Sequence, residues 1–194
     1  VFDYCVNLGI LYESIPYHNA VFVGLDEKGV PRYAFLRGIY ARAEKPFKRE
    51  QAGSNKAYSF WIPPTGTSRR VAVYEAAIET MAHMTLEENR ADKWRLSLGG
   101  IYAPKDESRP CNPQKPLALE HFLKVHPEIR EIELCTNNDQ AGRKAAEAMD
   151  QQYKDKYQII KNLPQKDGAD YGDLAKEQKQ VLEEKRIQMT GREL

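Results

Sequence analysis

The chain has 194 residues, 41% of them hydrophobic and 10% aromatic, and a formal net charge of +1. That length can bury the core of one medium domain or two small ones. The near-neutral balance excludes a uniformly basic nucleic-acid binder, so any such surface must be local.

No apolar run approaches the ~20 residues of a bilayer span, and the first residues do not form a signal peptide, so no membrane partner is expected. Cys5, Cys111 and Cys135 are far apart and form no CxxC. A reduced, cytoplasmic setting follows, with neither a disulfide framework nor a zinc ribbon. The chain starts at Val1 rather than Met, as expected of a piece cut from a longer protein.

In chain order, VFDYCVNLGILYES reads as the end of a helix closed at Gly9, with an aromatic tail. AVFVGLD (20–26), a Glu-Lys-Gly turn and PRYAFLRGIY (31–40) read as a hairpin, and KAYSFWIPP (56–64) as a third strand. The Pro-, Gly- and Thr-rich stretch at 63–70 is the best boundary. It divides a small N-terminal α+β domain (1–66) from an α/β domain with a C-terminal helical tail (67–194). Beyond it the rhythm changes. RVAVYE (70–75), WRLSLGG (94–100), IREIELCTNN (129–138) and YQIIKNLP (157–164) read as strands. AAIETMAHMTLEE (76–88), LALEHFLKVHP (117–127) and AGRKAAEAMDQQY (141–153) read as helices. Strands alternating with helices imply βαβ units and a mostly parallel sheet.

In such a sheet ligands bind beyond the carboxyl ends of the strands. Glu75 ends one strand, with Glu79 one helical turn later on the same face. Asn137 and Asp139 end another. QKDGADYGD (165–173) follows a third and offers Asp167, Asp170 and Asp173. Clustered like charges are unfavourable unless a cation neutralises them. Mg²⁺, or Mn²⁺ in its place, suits such oxygen ligands and supports phosphoryl transfer. Taken singly, these groups have plainer roles: Asp139 as a helix N-cap, Glu75 as a weaker cap or first-turn acid, and the three later aspartates as a solvated turn.

Residues 37–56 carry Arg37, Arg42, Lys45, Lys48, Arg49 and Lys56 with Tyr40 and Phe47 interleaved. This suits a phosphate-tracking surface with stacking platforms; a solvated loop is the alternative. Arg69, Arg70, Arg143 and Lys166 are further phosphate contacts if they lie near the acidic edge. Gly142, at a helix start, offers a backbone N–H to an anion. His83, beside Met81 and Met84, reads as core. His121 and His126 are not on one helix face.

VYEAAIETMAHM resembles the first Toprim motif and LCTNNDQAGRKAA the second, usually Asp-x-Asp followed by Ala-Gly. KDGADYGDLAK resembles the trailing element of primase-type Toprim proteins. YHNAVFVGLDEKGVPRYAFLRG and GSNKAYSFWIP look like the small domain that precedes Toprim in primase-like proteins of plasmids and conjugative elements. The resemblance implies a Rossmann-like Toprim sheet and a Mg²⁺-dependent nucleotidyl-transfer activity in mobile-element DNA replication. It makes Glu75 the general acid or base, and Asp139, Asn137, Asp170 and Asp167 metal-site residues. Glu79, in the place of a more usual Asp, is the second catalytic carboxylate that the resemblance implies. Single-stranded DNA and nucleotides are the implied partners, with a helicase or further domains of a longer chain. Two departures stand out: Asn137 occupies the place of the first Asp of Asp-x-Asp, and Gly172 that of an Asn. The zinc-binding template reader that primer synthesis usually needs is not in this sequence. Two rival readings stay open: a Toprim metal-dependent nuclease, and a catalytically degenerate nucleic-acid-binding module.

Overall fold

The computed structural model describes residues 1–15, 17–40, 47–101 and 114–190. Arg42, Lys45 and Cys111 lie outside them. Helix α1 (Phe2–Asn7) ends at Gly9, whose φ of +70° turns the chain so that Ile10 N donates back to Cys5 O. Strand β1 (Leu11–Glu13) pairs antiparallel with β2 (Asn19–Leu25), β2 with β3 (Pro31–Gly38), and β3 with β4 (Lys48–Glu50). The expected hairpin is therefore the centre of a four-stranded sheet. β1 and β4 have only three residues each, too few for a period-two pattern to be read.

KAYSFWIPP is not a third strand of that sheet. It forms a 3₁₀ turn at Lys56–Tyr58 and then the two-residue strand β5 (Trp61–Ile62). β5 joins the second sheet, antiparallel to β7 (Trp94–Ser97). Sheet membership thus changes before the 63–70 stretch. The second sheet has the order β5-β7-β6-β8-β9, with β6 (Arg70–Tyr74), β8 (Glu131–Leu134) and β9 (Gln158–Lys161). All its pairings except that of β5 are parallel. Among the described residues four further helices follow: α2 (Ala77–Leu86), α3 (Leu117–Val125), α4 (Gln140–Tyr153) and α5 (Tyr171–Thr190). The expected α/β class, with a mostly parallel sheet flanked by helices and a second β-containing unit, is the observed one.

Alternation along the strands sorts the core into layers. Val71, Val73, Ile132 and Leu134 pack with Leu119, Phe122, Ala146 and Met149 of α3 and α4. Ala72, Tyr74 and Cys135 face the other way, with Tyr171 of α5 and Ala82 and Leu86 of α2. The first unit is fused to the second through Cys5, Phe22, Phe60, Ile62, Ala77 and Met84. Gly24 is required at this junction: a Cβ there would lie 1.6 Å from Tyr58 O.

The α2 side of the sheet also buries charge. Arg95, Ala72 and Glu133 stand in one row across β7, β6 and β8. The small Ala72 leaves room for the long side chains on either side of it. Lys93 Nζ donates to Glu87 Oε1 at 2.6 Å and to Glu133 Oε2 at 2.9 Å, and Arg95 Nη2 to Glu87 Oε2 at 2.5 Å. Asn162 Nδ2 completes Glu133 at 2.6 Å. Lys93, Arg95 and Glu133 are buried, so removing one partner strands an opposite charge in the core. Lys93→Ala should cost about 3–5 kcal/mol in denaturant melts, whereas Arg90→Ala, at an exposed pair, should cost less than about 1 kcal/mol.

Candidate active site

The parallel pairing of β6 with β8 brings the ends of these two strands together. Glu75 follows β6 and Asn137 follows β8, and the Asn137 N–H donates to Glu75 Oε1 at 3.0 Å. The next turn starts α4. Asp139 is its N-cap and accepts the Gly142 N–H on Oδ1 at 2.7 Å. The plainer role for Asp139 is thus real, and it coexists with proximity to Glu75. Gly142 N is used by this cap and is not free for an anion, contrary to the sequence expectation. Gly142 matters for another reason: a Cβ there would lie 2.1 Å from Asn137 O and 2.8 Å from Glu75 Oε1.

Glu79 lies one turn into α2, buried, with Oε2 accepting the Ala76 N–H at 3.1 Å. Asp170 precedes α5, and Asp173 N donates to its Oδ1 at 2.8 Å. Glu75, Glu79, Asn137 and Asp170 line one cleft of about 310 Å³. Tyr33, Phe35 and Arg37 of β3 and Lys48 of β4 line the same cleft. Arg37 and Lys48 are register partners, so they stand side by side on one face of the sheet. Neither is in an ion pair among the described residues.

The electrostatics follow from this crowding. Burial raises the pKa of Glu75; the Asn137 N–H bond opposes the rise, and Asp139 and Asp170 add to it. Burial pushes Glu79 up to about 8; the Ala76 N–H opposes, and the charges of Glu75 and Asp170 add. Asn137 Oδ1 is buried and has no hydrogen-bond partner among the described residues. A buried carbonyl oxygen left without a donor beside three carboxylates suits a cation ligand. The donor set, all oxygen and mostly carboxylate, fits Mg²⁺ or Mn²⁺.

The other predicted residues are placed as follows. Asp167 is exposed and paired with Arg143, with Oδ1 2.7 Å from Nη1; like Asp139 it is not among the residues that line the cleft. Lys166 pairs with Glu177. Lys56 Nζ reaches Gly99 O at 3.3 Å and Glu50 Oε2 at 3.4 Å. Arg49 pairs in register with Leu36, on the face opposite Arg37 and Lys48. Arg69 and Arg70 lie away from the acidic edge. Arg69 precedes β6, Arg70 starts it and Glu75 follows its end, so both are on the order of 15–20 Å from Glu75 at ~3.3 Å per residue. Arg70 is paired instead with Glu131.

His83 is buried, as expected: Tyr74 hydroxyl lies 2.8 Å from Nδ1, Tyr171 stacks on the ring at 3.9 Å, and burial pushes its pKa down to about 4. His83, Glu133 and Cys135 offer ligand atoms within 4.8 Å of one another. The Lys93 ammonium already neutralises Glu133, so this group is part of the buried charge row. Sequence reasoning missed Tyr33, Phe35 and Ser97 as cleft residues. The period-two pattern of PRYAFLRG, with Tyr33, Phe35 and Arg37 on one face, was the signal available for the first two.

A family model described as "Protein of unknown function (DUF3991)" matches residues 1–64. No curated protein matches the chain. Among solved structures, the primase fragment of the bacteriophage T7 primase-helicase protein is similar, with a TM-score of 0.59 and 14% identity over 93% of this chain and 69% of that one. The DnaG catalytic core has a TM-score of 0.51 and 16% identity over 95% and 58%. A DNA primase domain from Pseudomonas aeruginosa has 0.50 and 16% over 89% and 53%. The chain therefore spans between about half and two thirds of the length of these structures. At such identities the likeness is one of fold, shared over the part of those structures that this chain spans.

Two outcomes test the site's construction. The folded pKa of Glu79 lies above its ordinary 4.5, so its stabilising protonated form is complete below about pH 4.5 and is lost as pH rises through about 8. In chelator, Glu79→Gln should match the native melting temperature at pH 4 and be more stable at pH 9, by on the order of a few kcal/mol. Gly142→Ala should destabilise by about 1–3 kcal/mol and abolish whatever cation binding the native protein shows by calorimetry.

Proposed function

We propose that this chain is the core of a primase-like, divalent-metal-dependent nucleotidyl transferase that extends primers on single-stranded DNA. The observation that supports it best is the mixed lining of the cleft, where carboxylates from the second sheet share a space with Arg37 and Lys48 from the first. Such a site can take the two charged parts of a nucleotide reaction at once. The carboxylates and the orphaned Asn137 oxygen suit a cation, and the paired cations suit phosphate.

In this reading Asp139, Asn137 and Asp170 would hold Mg²⁺ or Mn²⁺, with Glu75 beside them. When bound, the ion positions phosphate oxygens and offsets the charge that develops on them. Glu75, held by the Asn137 N–H and with its pKa raised by burial, accepts a proton at its carboxylate. Glu79, whose pKa burial raises, adds less negative charge to the cluster than an exposed carboxylate would. Arg37 and Lys48 orient the phosphates, and Tyr33 and Phe35 form an aromatic wall. Tyr40 and Phe47, exposed at the same end of the first sheet, suit stacking with bases of the single strand. A place in a mobile-element replication protein, with a helicase or template-reading domain supplied elsewhere, completes the proposal.

Mn²⁺ calorimetry and primer synthesis on single-stranded DNA test it together. The native protein should bind Mn²⁺. Glu75→Gln and Asp139→Asn should lose it, and Asn137→Asp should tighten it roughly tenfold, about 1.4 kcal/mol. Arg37→Ala with Lys48→Ala should weaken DNA binding and reduce its salt slope by about two. Strand cleavage without nucleotide incorporation would replace primase by nuclease. Binding of DNA unchanged in chelator, with Mn²⁺ bound only by Asn137→Asp, would favour a binding module that has given up the ion.

A further inference from the structure

The loop that carries Asp170 is fastened to the end of β8 by contacts that the proposed chemistry does not use. Gly168 N donates to Asn138 O at 2.8 Å, and Asn138 N to Ala169 O at 3.0 Å. Arg143, in the first turn of α4, reaches across this pair. Its Nη1 donates to Asn138 O at 2.6 Å, to Asn138 Oδ1 at 2.9 Å and to Asp167 Oδ1 at 2.7 Å. One guanidinium nitrogen therefore ties α4, the β8 end and the Asp170 loop together. Asn137 and Asp139 flank Asn138 on one side of this tie, and Asp170 lies three residues beyond Asp167 on the other.

We infer that Arg143 and Asp167 form a positioning clamp, which sets the separation of Asn137 and Asp139 from Asp170 and so the geometry at which the site takes a divalent cation. The inference rests on the metal-site reading above. It reassigns two residues that sequence reasoning took for a phosphate contact and a ligand. Their chemistry fits the reassignment. Asp167 has an 88% exposed side chain outside the cleft, so its carboxylate acts on the site through Arg143. Arg143 brings positive charge near the carboxylates, which by charge alone opposes a cation. A clamp and a bystander charge thus predict opposite signs when Arg143 is removed.

The test is Mn²⁺ calorimetry with site-resolved amide exchange on Arg143→Ala, Asp167→Ala and the double variant. Both side chains are at least half exposed or nearly so, so the variants should fold. Each single variant should bind Mn²⁺ roughly fivefold more weakly, about 1 kcal/mol. The double variant should be little worse than Arg143→Ala alone, because the contact with Asp167 is already lost in that variant. Amide exchange at Asn138 and Gly168 should accelerate in all three. Tighter or unchanged Mn²⁺ binding in Arg143→Ala would overturn the clamp in favour of a bystander charge. Loss of DNA affinity with Mn²⁺ binding and exchange unaltered would overturn it in favour of a phosphate contact. If the native protein binds no Mn²⁺, the metal reading fails, and the role in cation geometry falls with it. Accelerated exchange would then retain only the loop fastening.

Discussion

The site depends on one bond made possible by one missing carbon. Asn137 N donates to Glu75 Oε1, and this joins residues 62 apart in sequence because β6 and β8 pair in parallel and end together. The bond survives only because residue 142 has no Cβ, since a side chain there would occupy the space of both Asn137 O and Glu75 Oε1. The Ala-Gly of the second motif is therefore a packing requirement of the carboxylate site. It is not an anion-binding helix end, because the Asp139 cap takes the Gly142 N–H.

A second constraint sits beneath the first. The sheet is covered on both faces, by α3 and α4 on one and by α2 and α5 on the other, so alternate residues of its strands cannot reach water. On the α2 face the sequence supplies Lys93, Arg95 and Glu133. Burying such ions is unfavourable unless they are paired and hydrogen-bonded. Here Glu87, at the end of α2, and Asn162, after β9, complete the pairing. The row thus pins the C-terminal end of the helix whose first turn carries Glu79. The same face holds His83 and Tyr171, and Tyr171 follows Asp170 directly, with its hydroxyl donated to Asn162 O at 2.5 Å. Acidic residues at one edge of the sheet are anchored by buried polar contacts behind them.

The two sheets are not independent supports. β5 lies upstream of the Pro-rich stretch yet belongs to the second sheet, and α2 shares a core with α1, β1 and β2. Arg37 and Lys48 are held at the cleft by that fusion. In the sequence they are members of one basic segment, residues 37–56. In the fold they separate from Arg49, which the register turns to the other face, and from Lys56, whose ammonium is tied to Gly99 O and Glu50. Of the basic residues proposed for nucleic acid, pairing geometry selects two for the cleft among the described residues.

What the sequence determined by itself was the alternation of strands and helices after residue 70, the parallel character of the sheet, and Glu75, Asn137, Asp139 and Asp170 as the residues after strand ends. These are legible because each rests on local periodicity, a turn signal or a short motif within a few residues. The tertiary structure alone decided the rest. It placed Arg69 and Arg70 at the far end of β6, turned Arg143 and Asp167 toward each other, moved residues 61–62 into the second sheet, and buried Lys93, Arg95 and Glu133. Each outcome depends on strand order, register or contacts between residues distant in sequence. No local pattern carries that information, because a charged side chain in a strand reads the same whether the fold turns it to water or to a partner.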